Sequence, residues 1–487
     1  MIREKFQVRS SVPLKGHRGC VNALALTNDA NSGRFLVTAG DDYKLLVWDT
    51  YSPHYNKPCV QHTTEHDANI LTLSINATNE RVFSGGNGSK MFEHDLRTGK
   101  EAGSSDFPAW RIKCHPTNPQ LTVVIEQNQC QGPTLIMKDS RGRTTTQFFE
   151  QDVWVEGRYP DELRLEGLDI NPVDTNLMAV GGNDFCSLID LRQPENDIFS
   201  YRSPLEKLGI TQSTDVCFHP QGRHFISCQQ NYLPTLYSIF DKQPLAVFYG
   251  ADYTNIPTVK SVSFAELDGE TYVIAGSDKK KIFIWRVPQS LLSARQSYYN
   301  GDDSLQGTFY EKSLRKNIAV IDKPVQVVSG AHRGNVNNVL YHPHLQRIYG
   351  SGVEKTIWQH NLQHLSAPPQ SRDEDDVAEE DEHLLAYFDF MNATSLPPNM
   401  AQGGDQLQRL MHMALESLQF SSRNRAAARQ QEIATQFDDE EDYDTDFDEE
   451  LDEEEYNEED YDDDHHGEAE YYDNGDEWED HDDEEEA

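Results

Sequence analysis

The sequence predicts an all-β fold, a seven-bladed propeller, on three observations. The string His17-Arg18-Gly19-Cys20-Val21-Asn22 returns as His332-Arg333-Gly334-Asn335-Val336-Asn337. Between the copies, short runs alternate apolar and polar residues and end in Gly, Asp, Asn or Pro, the mark of strands joined by turns. The third observation is spacing. The copies lie 315 residues apart, and six steps, less an apparent insertion of about forty residues, leave roughly 46 residues per step, the length of one blade.

Blade one is the clearest. Its Gly16-His17 start, Gly40-Asp41-Asp42 turn and Trp48-Asp49 finish together mark a WD-repeat unit. Blade two runs from Glu65-His66 through Phe83-Ser84-Gly85-Gly86-Asn87 to His94-Asp95-Leu96-Arg97. Blade three holds Cys114-His115-Pro116 and ends at Asp139-Ser140-Arg141, with Glu126-Gln127-Asn128-Gln129 where an Asp-containing turn is expected. Blade four holds Gly181-Gly182-Asn183-Asp184 and Asp190-Leu191-Arg192. Blade five has Phe218-His219-Pro220, and blade six Gly276-Ser277-Asp278 with Ile284-Trp285. Blade seven pairs Gly352-Val353-Glu354-Lys355 with Ile357-Trp358. The WD-repeat propeller is thus expected over residues 7–365, with the insertion at about 289–322.

In such a blade a loop His, a strand Ser or Thr, a turn Asp and a strand Trp form a buried hydrogen-bonded chain. His17, Thr38, Asp42 and Trp48 fill those places in blade one, and His332 opens blade seven. Buried polar groups are costly unless paired, so the chain fixes strand register, and these histidines are read as scaffold, not as metal ligands or catalysts. Arg18 and Arg333 follow them in loops of neighbouring blades on one face, where they either receive an acidic partner or are solvated. Residues 7–11 can pair beside the last blade and close the ring.

Composition divides the chain into zones. Through residue 370 there are 39 acidic and 37 basic residues, so the disc is nearly neutral; from 438 to 487 there are 32 acidic residues and no Lys or Arg. An acidic linker is expected over 366–400, with a short apolar run at Leu384-Leu385-Ala386-Tyr387-Phe388-Asp389-Phe390. Leu407, Leu410, Met411, Ala414, Leu415 and Leu418 recur at helical spacing, which predicts an amphipathic helix within 401–435. Residues 436–487 are a disordered acidic tail by composition. Aromatics such as Tyr443, Phe447 and Trp478 punctuate it, so it either solubilises the chain or grips basic proteins such as histones.

Seven scattered cysteines without CxxC spacing fit reduced thiols and a nuclear or cytoplasmic protein. The start lacks the apolar core of a signal peptide, and no eighteen-residue apolar run is present. No phosphate-loop, dinucleotide, nucleophile-elbow or zinc-protease motif is found, so no enzyme, cofactor or metal is expected. The acidic tail beside a neutral disc argues against nucleic acid as principal ligand.

The strings Ser351-Gly352-Val353-Glu354-Lys355, Phe83-Ser84-Gly85-Gly86-Asn87 with His94-Asp95, and Gly276-Ser277-Asp278 through Trp285-Arg286-Val287-Pro288 resemble the cullin-4-associated WD-repeat factors over roughly residues 10–365. The resemblance implies a substrate receptor of a cullin-4 RING ubiquitin ligase, docking on the ligase's large damaged-DNA-binding adaptor through Asp-x-Arg sequences at blade ends and recruiting a protein target. Asp139 with Arg141 and Asp190 with Arg192 match, and Asp95 with Arg97 is a third copy; Lys138 and Ile189 stand where the family box carries Trp. The alternative is a chromatin- or histone-binding scaffold that uses the acidic tail.

Overall fold

The structure, a computed structural model, describes residues 6–52, 57–62, 66–128, 132–141, 146–148, 164–183, 185–193, 197–202, 212–293, 308–311 and 318–364. Alternating short strands make each segment a meander that cannot bury both its faces alone, and seven such sheets stack around one channel. From the channel outward, blade one is Val21–Leu26, Phe35–Gly40, Leu45–Asp49 and Val60–His62. Blades two, three and four begin on Ile70–Ile75, Ala109–Cys114 and Leu165–Ile170, and blades five, six and seven on Gln212–Phe218, Val262–Leu267 and Val336–His342. All the inner strands line a common cavity of about 750 Å³. The chain is therefore an all-β, seven-bladed propeller. The expected helix at 401–435, the linker at 366–400 and the tail at 436–487 lie outside the described residues.

The ring closes on its first strand. Phe6–Lys15 pairs antiparallel with Glu354–His364, from Phe6 opposite His364 to Lys15 opposite Thr356, and forms the outer edge of blade seven. Leu14 is buried in a cluster with Val21, Leu36, Trp48, Tyr349 and Ile357, which joins blades seven and one. Within the expected insertion, Ile318–Ile321 adds to blade five in parallel with its fourth strand, and Thr308–Glu311 pairs outside it. Blade six then takes Gln326–Val328 as its fourth strand.

The motif glycine has a steric cause. The pairing of first and second strands slips by one residue in every blade but the sixth, for example between Val21 and Ala23, a bulge that crowds the end of the second strand. A Cβ at Gly40 would stand 1.8 Å from the Cys20 carbonyl oxygen, and one at Gly352 2.0 Å from that of Asn335. Gly40→Ala is therefore expected to destabilise the disc by about 1–3 kcal/mol, read as a lowered urea midpoint; an unchanged midpoint would show that the bulge relaxes freely.

The buried chain of blade one is continuous. His17 Nε2 meets Thr38 Oγ1 at 2.7 Å, Trp48 Nε1 donates to the same oxygen at 2.9 Å, and His17 Nδ1 meets Asp42 Oδ1 at 2.9 Å. Burial opposes the Asp42 charge, but hydrogen bonds from His17 and from the Arg18 N–H outweigh it and hold the carboxyl below its usual range. Other blades solve the same problem with different residues. Trp48 faces Leu36 across the sheet; the matching pairs are Val82 with His94 in blade two and Ile348 with His360 in blade seven. The repeat Trp of blade seven is thus replaced by His360, not supplied by Trp358 two residues earlier. His360 Nε2 lies 3.3 Å from His332 Nε2 over Gly350, which holds the place of Thr38, while Glu354 meets His332 Nδ1 at 2.7 Å in place of the turn Asp.

Candidate functional site

Strand direction alternates, so each disc face has a fixed membership. The loop entering each inner strand and the turn between second and third strands share one face, where His17 reaches Asp42. The turns after the first and third strands share the other. Arg18 and Arg333 lie on the histidine face; Asp95, Asp139 and Asp190 end third strands and lie on the opposite face. The candidate adaptor-docking residues and the candidate partner-binding arginines are thus on opposite sides of the plate.

The Asp-x-Arg triplets of blades three and four have the same geometry. Asp139 sits opposite Leu121 and Asp190 opposite Leu177, the register of Asp49 opposite Phe35 in blade one. In each triplet the carboxylate accepts the backbone N–H of the arginine at 2.9 Å and its Nε at 2.9 Å, and Nη2 reaches the second oxygen. The middle residue is tied by its N–H to the preceding turn, Ser140 to the Gln120 carbonyl and Leu191 to that of Asn176. The result is a planar guanidinium clipped to its own turn, with Nη1 free of described partners and the side chain 57% exposed in Arg141 and 65% in Arg192. Hydrogen bonds from Arg192 hold Asp190 below the usual carboxylate range, against a small opposing effect of burial. A fork fixed in this way is pre-organised for bidentate recognition of a carboxylate or carbonyl pair.

Asp95 and Arg97 are built differently. Asp95 accepts from the Thr98 N–H at 2.8 Å and the Thr98 hydroxyl at 2.9 Å, and lies 3.8 Å from Arg81. Arg97 is exposed, without an ion pair to a described residue. In blade one Asp49 is taken by Arg34. Blades five, six and seven carry Ser238, Arg286 and Asn361 in this register. Where a Trp was expected before each aspartate, Ile189 is fully buried in the interblade core and Lys138 bonds the Ser105 hydroxyl.

On the histidine face Arg18 and Arg333 are exposed, and neither side chain makes an ion pair with a described residue. The loop holds the backbone of Arg18 through its N–H to Asp42 at 2.9 Å, so that cation projects from a fixed base.

The channel wall carries charges that the sequence pattern did not single out. Lys113 Nζ lies 2.7 Å from Asp169 Oδ1, and Asp215, pushed up to about 6 by burial, accepts from the Val262 N–H at 3.0 Å. Lys260 is fully buried against Asp278 and also donates to the Thr258 carbonyl at 3.1 Å. Nothing in the local string Thr258-Val259-Lys260-Ser261 distinguishes it from a surface lysine. Asp278 receives Lys260, the Ile256 N–H at 2.7 Å and Asn335 at 3.2 Å, so this pair joins blades six and seven as structure. Among the described residues no group of His, Cys, Asp and Glu is placed to hold a metal ion.

Comparison with known proteins agrees with the fold. The family model described as WD domain, G-beta repeat, matches residues 8–49, the segment from the closing strand through Trp48-Asp49 whose hydrogen-bonded chain is given above. The chain is a seven-bladed propeller whose first blade is similar to a WD repeat. Over 347 residues it is 28% identical to DDB1- and CUL4-associated factor 5 of Homo sapiens, covering 71% of this chain and 33% of that protein, and the Mus musculus protein gives the same figures. The chain thus matches about a third of the length of these curated relatives. A solved structure, the beta-propeller domain of Myceliophteria_thermophila Cps50 (Swd1), superposes with a TM-score of 0.53 at 16% identity, over 73% of this chain and 100% of that one, a likeness of fold alone. The propeller is thus similar, at modest identity, to a cullin-4-associated factor and carries a match to the WD-repeat model in its first blade. No described helix is long and apolar enough to cross a membrane.

Proposed function

We propose that this chain is a substrate receptor of a cullin-4 ubiquitin ligase, working in the nucleus or the cytosol. It docks on the DDB1 adaptor through Arg141 and Arg192 and recruits a protein target on the opposite face, beside Arg18 and Arg333. The observation that carries this reading is the twin clamp: two arginines in adjacent blades, on one face, each clipped to its own aspartate in the same geometry. Two pre-organised forks at a fixed spacing recognise a partner at less entropic cost than free side chains. The similarity to DDB1- and CUL4-associated factor 5 supports the choice of partner.

The test is recovery of DDB1 by the full chain, wild type beside Arg141→Ala plus Arg192→Ala. Removing two charge-assisted contacts is expected to lower recovery by tenfold or more, with the melting temperature unchanged because both side chains are exposed. Equal recovery by the folded double variant would overturn the docking edge. No recovery by wild type would overturn the receptor role.

A further inference from the structure

A second recess lies away from the channel. Between blades one and two a cleft of about 630 Å³ is lined by the apolar Phe35, Val47, Val60 and Leu96, with Glu80, Arg81, Asp95 and Arg97 at its rim. The fourth strand of blade one is short there: Val60–His62 pairs with Leu45, Leu46 and Val47, and among the described residues Trp48 and Asp49 have no ladder partner on that side. The volume is within the range that takes a drug-sized ligand, hence two or three apolar side chains. The cleft opens on the face of the third-strand turns, since residues 79–81 and 95–97 border it.

The chain leaves the disc on this same face. Glu354–His364 is the third strand of blade seven and runs toward it. Blade seven adjoins blade one there, Arg347 Nη1 donating to the Thr50 carbonyl at 3.1 Å and His344 meeting Asp29 at 3.0 Å. Nineteen residues, 365–383, separate this exit from Leu384. Extended, they reach roughly 60 Å, against a blade depth of about 15 Å for four strands. Residues 384–390 form an apolar run, Leu-Leu-Ala-Tyr-Phe-Asp-Phe, directly after the acidic stretch 373–382. At the rim Arg81 is engaged by Glu93 and Asp95, and Arg97, without an ion pair to a described residue, is the cation left to meet an acidic approach, while the apolar segment matches the apolar wall.

We propose that residues 384–390 of this chain dock in the cleft between blades one and two, the acidic approach lying along Arg97. Tethering makes the contact intramolecular, so an affinity too weak for a free peptide suffices. The docked segment covers Arg97 and leaves the clamps of blades three and four open. The inference rests on the cleft, the exit and the sequence, and stands or falls apart from the adaptor reading.

The test places a photo-crosslinking amino acid at position 388 of the full chain and maps the products, using a mixture of isotopically light and heavy chains. Cross-links within one molecule to Phe35, Val60 or Leu96 are expected, falling at least tenfold when Leu384, Leu385 and Phe390 are changed to Asp and severalfold in Arg97→Glu. Cross-links to other blades, cross-links joining light to heavy chains, or a yield no higher than from a crosslinker at position 474 would each overturn the proposal.

Discussion

Removing residues 1–15 is expected to abolish the cooperative melting of the disc. Phe6–Lys15 pairs with Glu354–His364 along its length, broken by one bulge between Val8 and Ser10, and Leu14 fills the junction between the last and first blades. At about 0.5–1.5 kcal/mol net for each ladder hydrogen bond, the strand contributes roughly 5–10 kcal/mol, comparable to the whole stability of a domain. Deletion also bares the edge of the last third strand, a template for aggregation. Far-UV circular dichroism against temperature reads the result. A truncated chain melting within about 5 °C of the intact one would show that the ring does not depend on its first strand.

Acidification gives the second large effect. Burial lowers His66, His219 and His342 to about 4 and His360 to about 3; for His360 the neighbouring His332 adds to the lowering. In the unfolded chain these imidazoles titrate near 6.5, so between that pH and 4 the unfolded state binds more protons. Their contribution is complete above pH 7 and is lost as pH falls from about 6.5 toward 4. Asp215 acts in the opposite direction: its folded pKa, raised to about 6, relieves a cost as pH falls. Burial raises Glu166 and Glu126 in the same sense, but the four deeply lowered imidazoles outweigh these carboxyls, and the net loss is on the order of several kcal/mol. Urea midpoints at pH 7.5, 6.0 and 5.0 should fall in that order. A midpoint constant to pH 4.5 would mean that the unfolded chain holds these histidines as tightly neutral as the disc does.

The limits of sequence reading follow from the same chemistry. Blade one was legible because its His, Thr, Asp and Trp all survive and stand at regular spacing. Blade seven was legible as a blade, but its Trp358 drew attention from His360, which fills the Trp place only because Gly350 vacates the space of a threonine side chain. That compensation is visible once the strands are paired and not before. The Asp-x-Arg triplets were readable as strings, yet the string does not say that Asp139 and Asp190 hold their own arginines while Asp95 turns to Thr98. Three-letter patterns carry no hydrogen-bond choice. The burial of Lys260 was hidden for a similar reason: its partners are Asp278, in a turn of the same blade, and Asn337, in blade seven, and only strand pairing and the stacking of blades bring them within reach.

The closing strand has a consequence in time. Its partners are among the last propeller residues to be made; Ser11 meets His360, 349 positions along. At about 5–20 residues per second of synthesis, the first strand waits about 20–70 s before its ladder exists. Throughout that interval a ten-residue edge with Val8, Val12 and Leu14 stands open, and the six blades behind it are an unsealed arc. Closure of the ring is thus the last event in the assembly of the disc, and the period of greatest exposure to mispairing falls before either face of the ring is complete.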